Sequence, residues 1–339
     1  MKIIILNLGD WKFDETSLNQ IGLGGSETWA IQLADAFVRK KHDVSVLCNC
    51  SPHIAWNGVK YIPHSELDNI VVNNKYDLCI ISRFFSNIMS PIEYYHMSEN
   101  VFLQAHDNRV FSLDDINQIT QLKCFKGICT LSGYQERCIH DNNGIGWDYM
   151  FRIGNGIDPQ LFENIDCIPT NKNLLFSSDY RRGCNIIYES ILPKLNGIVA
   201  DCCSYLTNSS ENVNFIGSLN KHDLYTQMGN RFYWFYPCSV NETFCITALE
   251  NIMCENDLIL PINSGLITVL EPFINDITMK HTFTNGNEEY DLAVDEAVER
   301  INTSINNHEQ GKELRAELKN YVLNKYTWDI IADKWLKLI

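Results

Sequence analysis

Nowhere in its 339 residues does the chain stay apolar for the roughly 18 residues that a membrane-spanning helix needs. The opening "MKIIILNL" is too short for the core of a secretory signal, and it reaches Gly9 and Asp10 without a small-residue cleavage site. A soluble protein is expected. Pro-, Gly- or Ser-rich tracts, internal repeats and low-complexity runs are lacking as well, and with 45% hydrophobic and 20% charged residues the composition gives no sign of disorder. Positive charge is scarce: Lys and Arg number 27 against 42 Asp and Glu, a net charge of -15, which repels nucleic acid and anionic lipid. One basic cluster, Arg39 with Lys40 and Lys41, ends an expected helix, where cations offset the dipole. The other is Arg181 with Arg182. Thirteen cysteines are an odd number, and Cys202–Cys203 and Cys48/Cys50 have neither zinc nor redox spacing. Free thiols in a reducing compartment, the cytoplasm, are the expectation. The sequence Asn241-Glu242-Thr243 is a glycosylation acceptor, and a secretory route would expose it to modification.

What is present is alternation. Short β-branched runs, "KIIIL", "DVSVLC", "DLCIIS", "NVFLQAH" and "GICTLS", are separated by helical patterns such as "SETWAIQLADAFVRKKH". After "FRIGNGIDPQLF", with its two glycines and proline, the rhythm restarts through "NLLFSS", "GIVADCC", "VNFIGSL", "RFYWFYP" and "DLILP", with helices expected from about Cys184 and His222. This is an α/β chain with two tandem parallel sheets and a boundary near Gly156. Open sheets of this kind bind ligands at the carboxyl ends of their strands.

In "IGLGGSETWAIQLADAF", Gly24 and Gly25 precede a helix for which Ser26 is the candidate N-cap. Amides at such a helix start suit an anion. The fit to a dinucleotide fingerprint is poor, because position 27 is Glu27. In "NETFCITALENIMCENDLIL", Glu242 and Glu250 stand eight positions apart. On a continuous helix that is about 12 Å, too far to share a metal or a proton, so the two carboxylates address different parts of one elongated ligand.

The stretch "ETFCITALE" resembles the two-glutamate motif of the retaining nucleotide-sugar glycosyltransferases of family four, whose fold is GT-B, two facing Rossmann-like domains. "GLGGSETWAIQLADAF" resembles the family's amino-terminal glycine loop, "RIGNGIDPQLF" its linker, "LLFSSDYRRGCNIIYESILPKL" the branch with a Ser-Ser/Arg-Gly phosphate loop, "VNFIGSLNKHDLYTQM" the following strand and helix, and "YTWDIIADKWLKLI" the closing helix. The resemblance spans almost the whole chain. It implies an acceptor-side domain at 1–155, a nucleotide-sugar-binding domain at 156–320, and a helix within 321–339 that crosses back to the first domain. It also implies transfer of a hexose-like sugar from a UDP- or GDP-sugar to a hydroxyl of a glycan or glycosylated acceptor, in glycan biosynthesis. Arg182 matches the basic residue at the phosphates, with Arg181 assisting. The amides of Gly24, Gly25, Phe244 and Cys245 would face the same charge. Glu250 matches the ribose-binding carboxylate, Glu242 the carboxylate at the transferred sugar, and His106 the histidine that meets the sugar's primary hydroxyl. No Asp-x-Asp motif follows a strand in a suitable place, so no metal and no cofactor are expected. An inactive relative that holds nucleotide sugar or glycan without turnover is the alternative. The sequence departs from the family after Glu250, where Glu255 and Asp257 replace a Gly-x-Pro turn; a left-handed residue is needed there, and Asn256 is a candidate to supply it.

Overall fold

The computed structural model describes residues 1–20, 23–83, 96–108, 124–203, 212–238, 242–261, 265–283 and 288–339. The chain divides into two compact units, residues 1–156 with 326–339, and 157–325.

The first unit is built on an eight-stranded sheet in the order β3-β4-β2-β1-β5-β6-β7-β8, parallel except where β3 meets β4. In chain order its main elements are β1 (Lys2–Asn7), α1 (Gly25–Arg39), β2 (Asp43–Cys48), β3 (His53–Ile54), β4 (Lys60–Pro63), β5 (Leu78–Ser82), β6 (Val101–Gln104), β7 (Phe125–Thr130), α2 (Gly133–Asn143) and β8 (Met150–Arg152). The apolar run of β1 is continuous because both faces of the sheet are covered. Ile3 and Ile5 enter one core with Trp29 and Phe37 of α1, while Ile4 and Leu6 enter a second with Leu103 and Ile128. Strand periodicity of two sends successive side chains to opposite faces.

The second unit carries β9 (Leu174–Phe176), β10 (Ala200–Cys202) and β11 (Val213–Phe215) in a three-stranded parallel sheet. The helix α3 (Lys221–Gly229), β12 (Tyr233–Phe235), α4 (Ile246–Met253), β13 (Asp257–Ile259), α5 (Glu288–Asn306) and α6 (Lys312–Lys325) follow, with β12 paired to β13. Its core joins Phe176, Tyr233, Phe235 and Ile259 to Ala293, Ala297 and Ile301 of α5.

The last helix, α7 (Trp328–Leu336), belongs to the first unit, where Trp328 and Trp335 lie in the core beside Trp29. Gly156 is needed at that junction: a Cβ there would stand 2.8 Å from the Trp328 backbone nitrogen. All thirteen cysteines are free, eight of them buried and five partly so. Among the described residues no helix is long and apolar enough to cross a membrane.

Candidate functional site

In the second unit, the loop after β9 brings Ser178 and Arg182 to the end of β12. Gly183 sits at φ 94°, and a Cβ at that position would run into the Pro237 carbonyl, so glycine alone lets Arg182 approach. The Arg182 guanidinium bonds to Glu242 Oε2 and, at 3.3 Å, to the Tyr236 hydroxyl. Tyr236 donates to the same Glu242 oxygen at 3.1 Å, and Ser178 Oγ lies 3.5 Å from the Tyr236 hydroxyl. Burial opposes charge on Arg182, but the facing carboxylate of Glu242 outweighs it and pushes the guanidinium's pKa up. Tyr236 is held in its neutral form, by burial first and by the facing Glu242 carboxylate after it. Arg181 does not join this group. Its guanidinium is turned onto Asp179, at 2.9 and 2.7 Å, and its side chain is 72% exposed.

Glu242 is 8% exposed and its backbone is fixed from outside: Gly265 donates to its carbonyl at 2.7 Å, and a Cβ on Gly265 would stand 2.5 Å from the carbonyl oxygens of Glu242 and Thr243. The helix α4 starts only at Ile246, capped by Cys245 in a left-handed conformation at φ 69°. Glu242 therefore precedes the helix, and the 12 Å helical spacing does not describe the two glutamates. Phe244 is buried. Cys245 stays a neutral thiol, through burial and then through the Glu242 carboxylate.

Glu250 lies inside α4 and is 3% exposed. Its Oε1 accepts from Lys221 Nζ at 2.5 Å and from the Tyr225 hydroxyl at 2.8 Å. The left-handed residue after α4 is Glu255, at φ 60°, and not Asn256. Asn256 instead donates its side-chain amide to Asn251, at 2.8 Å.

In the first unit, His106 follows β6. The Gln135 side chain, fully buried on α2, holds the backbone around it by donating to the carbonyls of Ala105 and Asp107, at 3.3 and 3.1 Å. His106 Nε2 lies 3.2 Å from Ser82 Oγ, and the ring meets Trp29 edge-on with centroids 5.1 Å apart. Burial lowers its pKa to about 3, so the ring is neutral at ordinary pH; the neighbouring Asp107 only partly opposes this, being itself paired to Arg83 at 3.0 Å. Gly24 is the N-cap of α1 and makes no side-chain cap bond. Ser26 is not the cap: it lies inside the helix and donates to Glu27 Oε1 at 2.9 Å. Glu27, 5% exposed, folds over the glycine loop, its Oε2 standing 2.5 Å from where a Cβ of Gly24 would be. The amides of Gly24 and Gly25 thus begin a helix that already carries a carboxylate in its first turn.

Among the described residues one trio has ligand atoms within 4.8 Å of one another: Asp14, Glu15 and His53, also in the first unit. His53 Nε2 is 2.8 Å from Glu15 and Nδ1 2.8 Å from the Ser51 carbonyl, contacts that raise its pKa. A cavity of about 710 Å³ in the second unit, lined by Asp257, Glu296, Arg300 and Arg315 among others, contains none of Arg182, Glu242 and Glu250. Four of its charges are paired within the lining, Arg300 with Glu296 at 3.1 Å and Arg315 with Asp257 at 2.7 Å.

The structure of the chain is similar to several solved structures of glycosyltransferases. The fold is GT-B. A glycosyltransferase from Rickettsia africae aligns over 99% of this chain and 97% of its own, with a TM-score of 0.76 and 12% identity. Anabaena HepE, in complex with UDP and glucose, aligns over 99% and 98% with a TM-score of 0.68 and 14% identity. Sucrose-phosphate synthase from Thermosynechococcus elongatus aligns over 99% and 98% with a TM-score of 0.66 and 13% identity. No protein-family model matches the sequence, and no curated protein matches it.

Four residues of this arrangement escaped the sequence reading: Tyr236, Lys221, Tyr225 and Gly265. For Tyr236 the signal was its place just past the carboxyl end of a strand. For Lys221 it was a cation in the first turn of a helix, against the dipole.

Proposed function

We propose that this protein is a glycosyltransferase that moves a hexose-like sugar from a UDP- or GDP-sugar to a hydroxyl of a glycan or glycosylated acceptor, with retention of anomeric configuration. The observation that carries this reading is the convergence of Arg182, Tyr236 and Glu242 at one point of the second unit, with Glu250 in the helix that follows. Similarity of fold to proteins solved with UDP and with UDP-glucose agrees with it.

In this reading Arg182 and the Tyr236 hydroxyl face the diphosphate. The bond between the anomeric carbon and the β-phosphate oxygen breaks, its electron pair remains on the phosphate, and the fixed positive charge of Arg182 stabilises the oxygen. The acceptor hydroxyl oxygen bonds to the anomeric carbon on the same face, and its proton passes to the departing phosphate. Glu242 accepts hydrogen bonds from sugar hydroxyls and steadies the positive charge that develops on the ring. Glu250 binds the ribose. His106, a neutral ring, meets the sugar's primary hydroxyl and does not serve as the base. Arg182 supplies the charge that a metal ion supplies in other transferases.

A thermal-shift screen against UDP, GDP, UDP-glucose and other UDP- and GDP-sugars tests the reading. A ligand at 100 times its dissociation constant adds about 2.7 kcal/mol of stability, a shift of several degrees. No shift with any of them overturns the reading. Donor hydrolysis or transfer by purified protein separates an enzyme from a non-catalytic binder, and NMR of the product's anomeric proton decides retention. The rate is expected to be unchanged by a chelator.

A further inference from the structure

Lys221 occupies a position that helix physics disfavours twice. It is the first residue of α3, where the unpaired amides make the positive end of the helix dipole, and a cation there is repelled. Its side chain is also drawn out of water: it is 16% exposed, and that of its partner Glu250 is 4%. An ion pair this enclosed is a poor source of stability, because desolvating both charges cancels most of their attraction. Tyr225, four residues on and therefore on the same face of α3, adds a hydroxyl. Both donors end on one atom, Glu250 Oε1. Oε2 accepts no bond from any described residue. The carboxylate is thus gripped through one of its two oxygens, and the other is left without a donor among the described residues.

We propose that Lys221 and Tyr225 are positioning residues: they pin Glu250 by Oε1 so that Oε2 is aimed at the vicinal hydroxyls of a nucleoside diphosphate's ribose, and thereby set selection for ribose over its deoxy forms. This rests on the reading of Glu250 as the ribose-binding carboxylate given above. An unpinned glutamate has three rotatable bonds, and a bidentate grip on two hydroxyls requires all of them fixed before the ligand arrives.

The test is calorimetric titration of the full chain with UDP or GDP, whichever the thermal screen shows to bind, beside its 2′,3′-dideoxy analogue. Hydrogen bonds to a charged group are worth enough that the wild type should prefer the ribo form by roughly 10- to 100-fold. Lys221→Met should bring that preference below about threefold, and Tyr225→Phe, which keeps the ion pair, should reduce it several-fold. Adding Lys221→Met to Glu250→Gln should lower the preference no further than Glu250→Gln alone, since coupled residues are not additive. Melting curves of each variant show whether it is folded, and Tyr225→Phe carries the test if Lys221→Met is not. Folded variants that keep the full ribo preference would overturn the role of Lys221 and Tyr225 while leaving Glu250 as the ribose ligand. A wild type that binds both forms equally would overturn the ribose assignment and this inference with it. Absence of binding by any nucleotide would be the failure of the donor reading itself.

Discussion

In the second unit the groups of interest are ions set against ions, Arg182 on Glu242 and Lys221 on Glu250, each pair sharing its carboxylate oxygen with a tyrosine hydroxyl. In the first unit His106 is an uncharged ring wedged between Ser82 and the edge of Trp29. The difference lies in what each arrangement does when a partner arrives. Paired ions can exchange one partner for another, as a phosphate or a diol requires. A buried neutral imidazole offers direction without charge, which suits a hydroxyl and resists protonation.

If charge is the working principle of the second unit, Arg182→Met should have the largest effect. Loss of one fixed donor at developing oxyanion charge costs about 3–4 kcal/mol, a fall of about 10²- to 10³-fold in kcat, measured on a UDP- or GDP-sugar that the protein turns over. The Arg182 side chain is 39% exposed, so its melting temperature should change far less. Next comes Gly265→Ala, which forces a Cβ against the carbonyls of Glu242 and Thr243; chemical denaturation should show a loss of about 2–3 kcal/mol, and activity should fall with it.

The neutrality of His106 is tested by pH. Its folded pKa, about 3, lies below its ordinary value of 6.5, so the unfolded chain takes up the proton first. Stability contributed by this group is complete above pH 6.5 and is lost as pH falls toward 3, by about 2 kcal/mol between pH 6.5 and 5. His106→Gln should lose about that much less than the wild type over the same interval, read from unfolding curves; equal losses would mean that the ring is charged in the fold. The smallest effect is expected from Cys245→Gly. A non-glycine residue at φ 69° is strained by about 1–2 kcal/mol, partly offset by the freer unfolded glycine, so a net gain of about 1 kcal/mol should appear in the melting temperature.

Local pattern was enough for the strands. The run of β1, the restart after Gly156 and the helix that begins at Lys221, one residue before the expected His222, were all legible as periodicity and punctuation. The contacts of the site were not. Arg182 and Glu242 are separated by 60 residues and Lys221 and Glu250 by 29, and only packing brings them together. The glutamate pair misled in a particular way: eight positions read as two helical turns, whereas a left-handed Cys245 delays the helix and leaves Glu242 on irregular backbone held by Gly265. Ser26 was similarly misleading, because the backbone turned helical one residue before it, at Gly25.

The return of α7 to the first unit also bears on the order in which the molecule is made. Trp328 and Trp335 fill a core begun by Trp29. A ribosome therefore releases the first sheet with a hole in its packing and must deliver the whole of residues 157–325 before the two tryptophans that plug it emerge. The second unit, uninterrupted in sequence, is free to reach its native state in the meantime, so during synthesis the later-made half should be the first to finish.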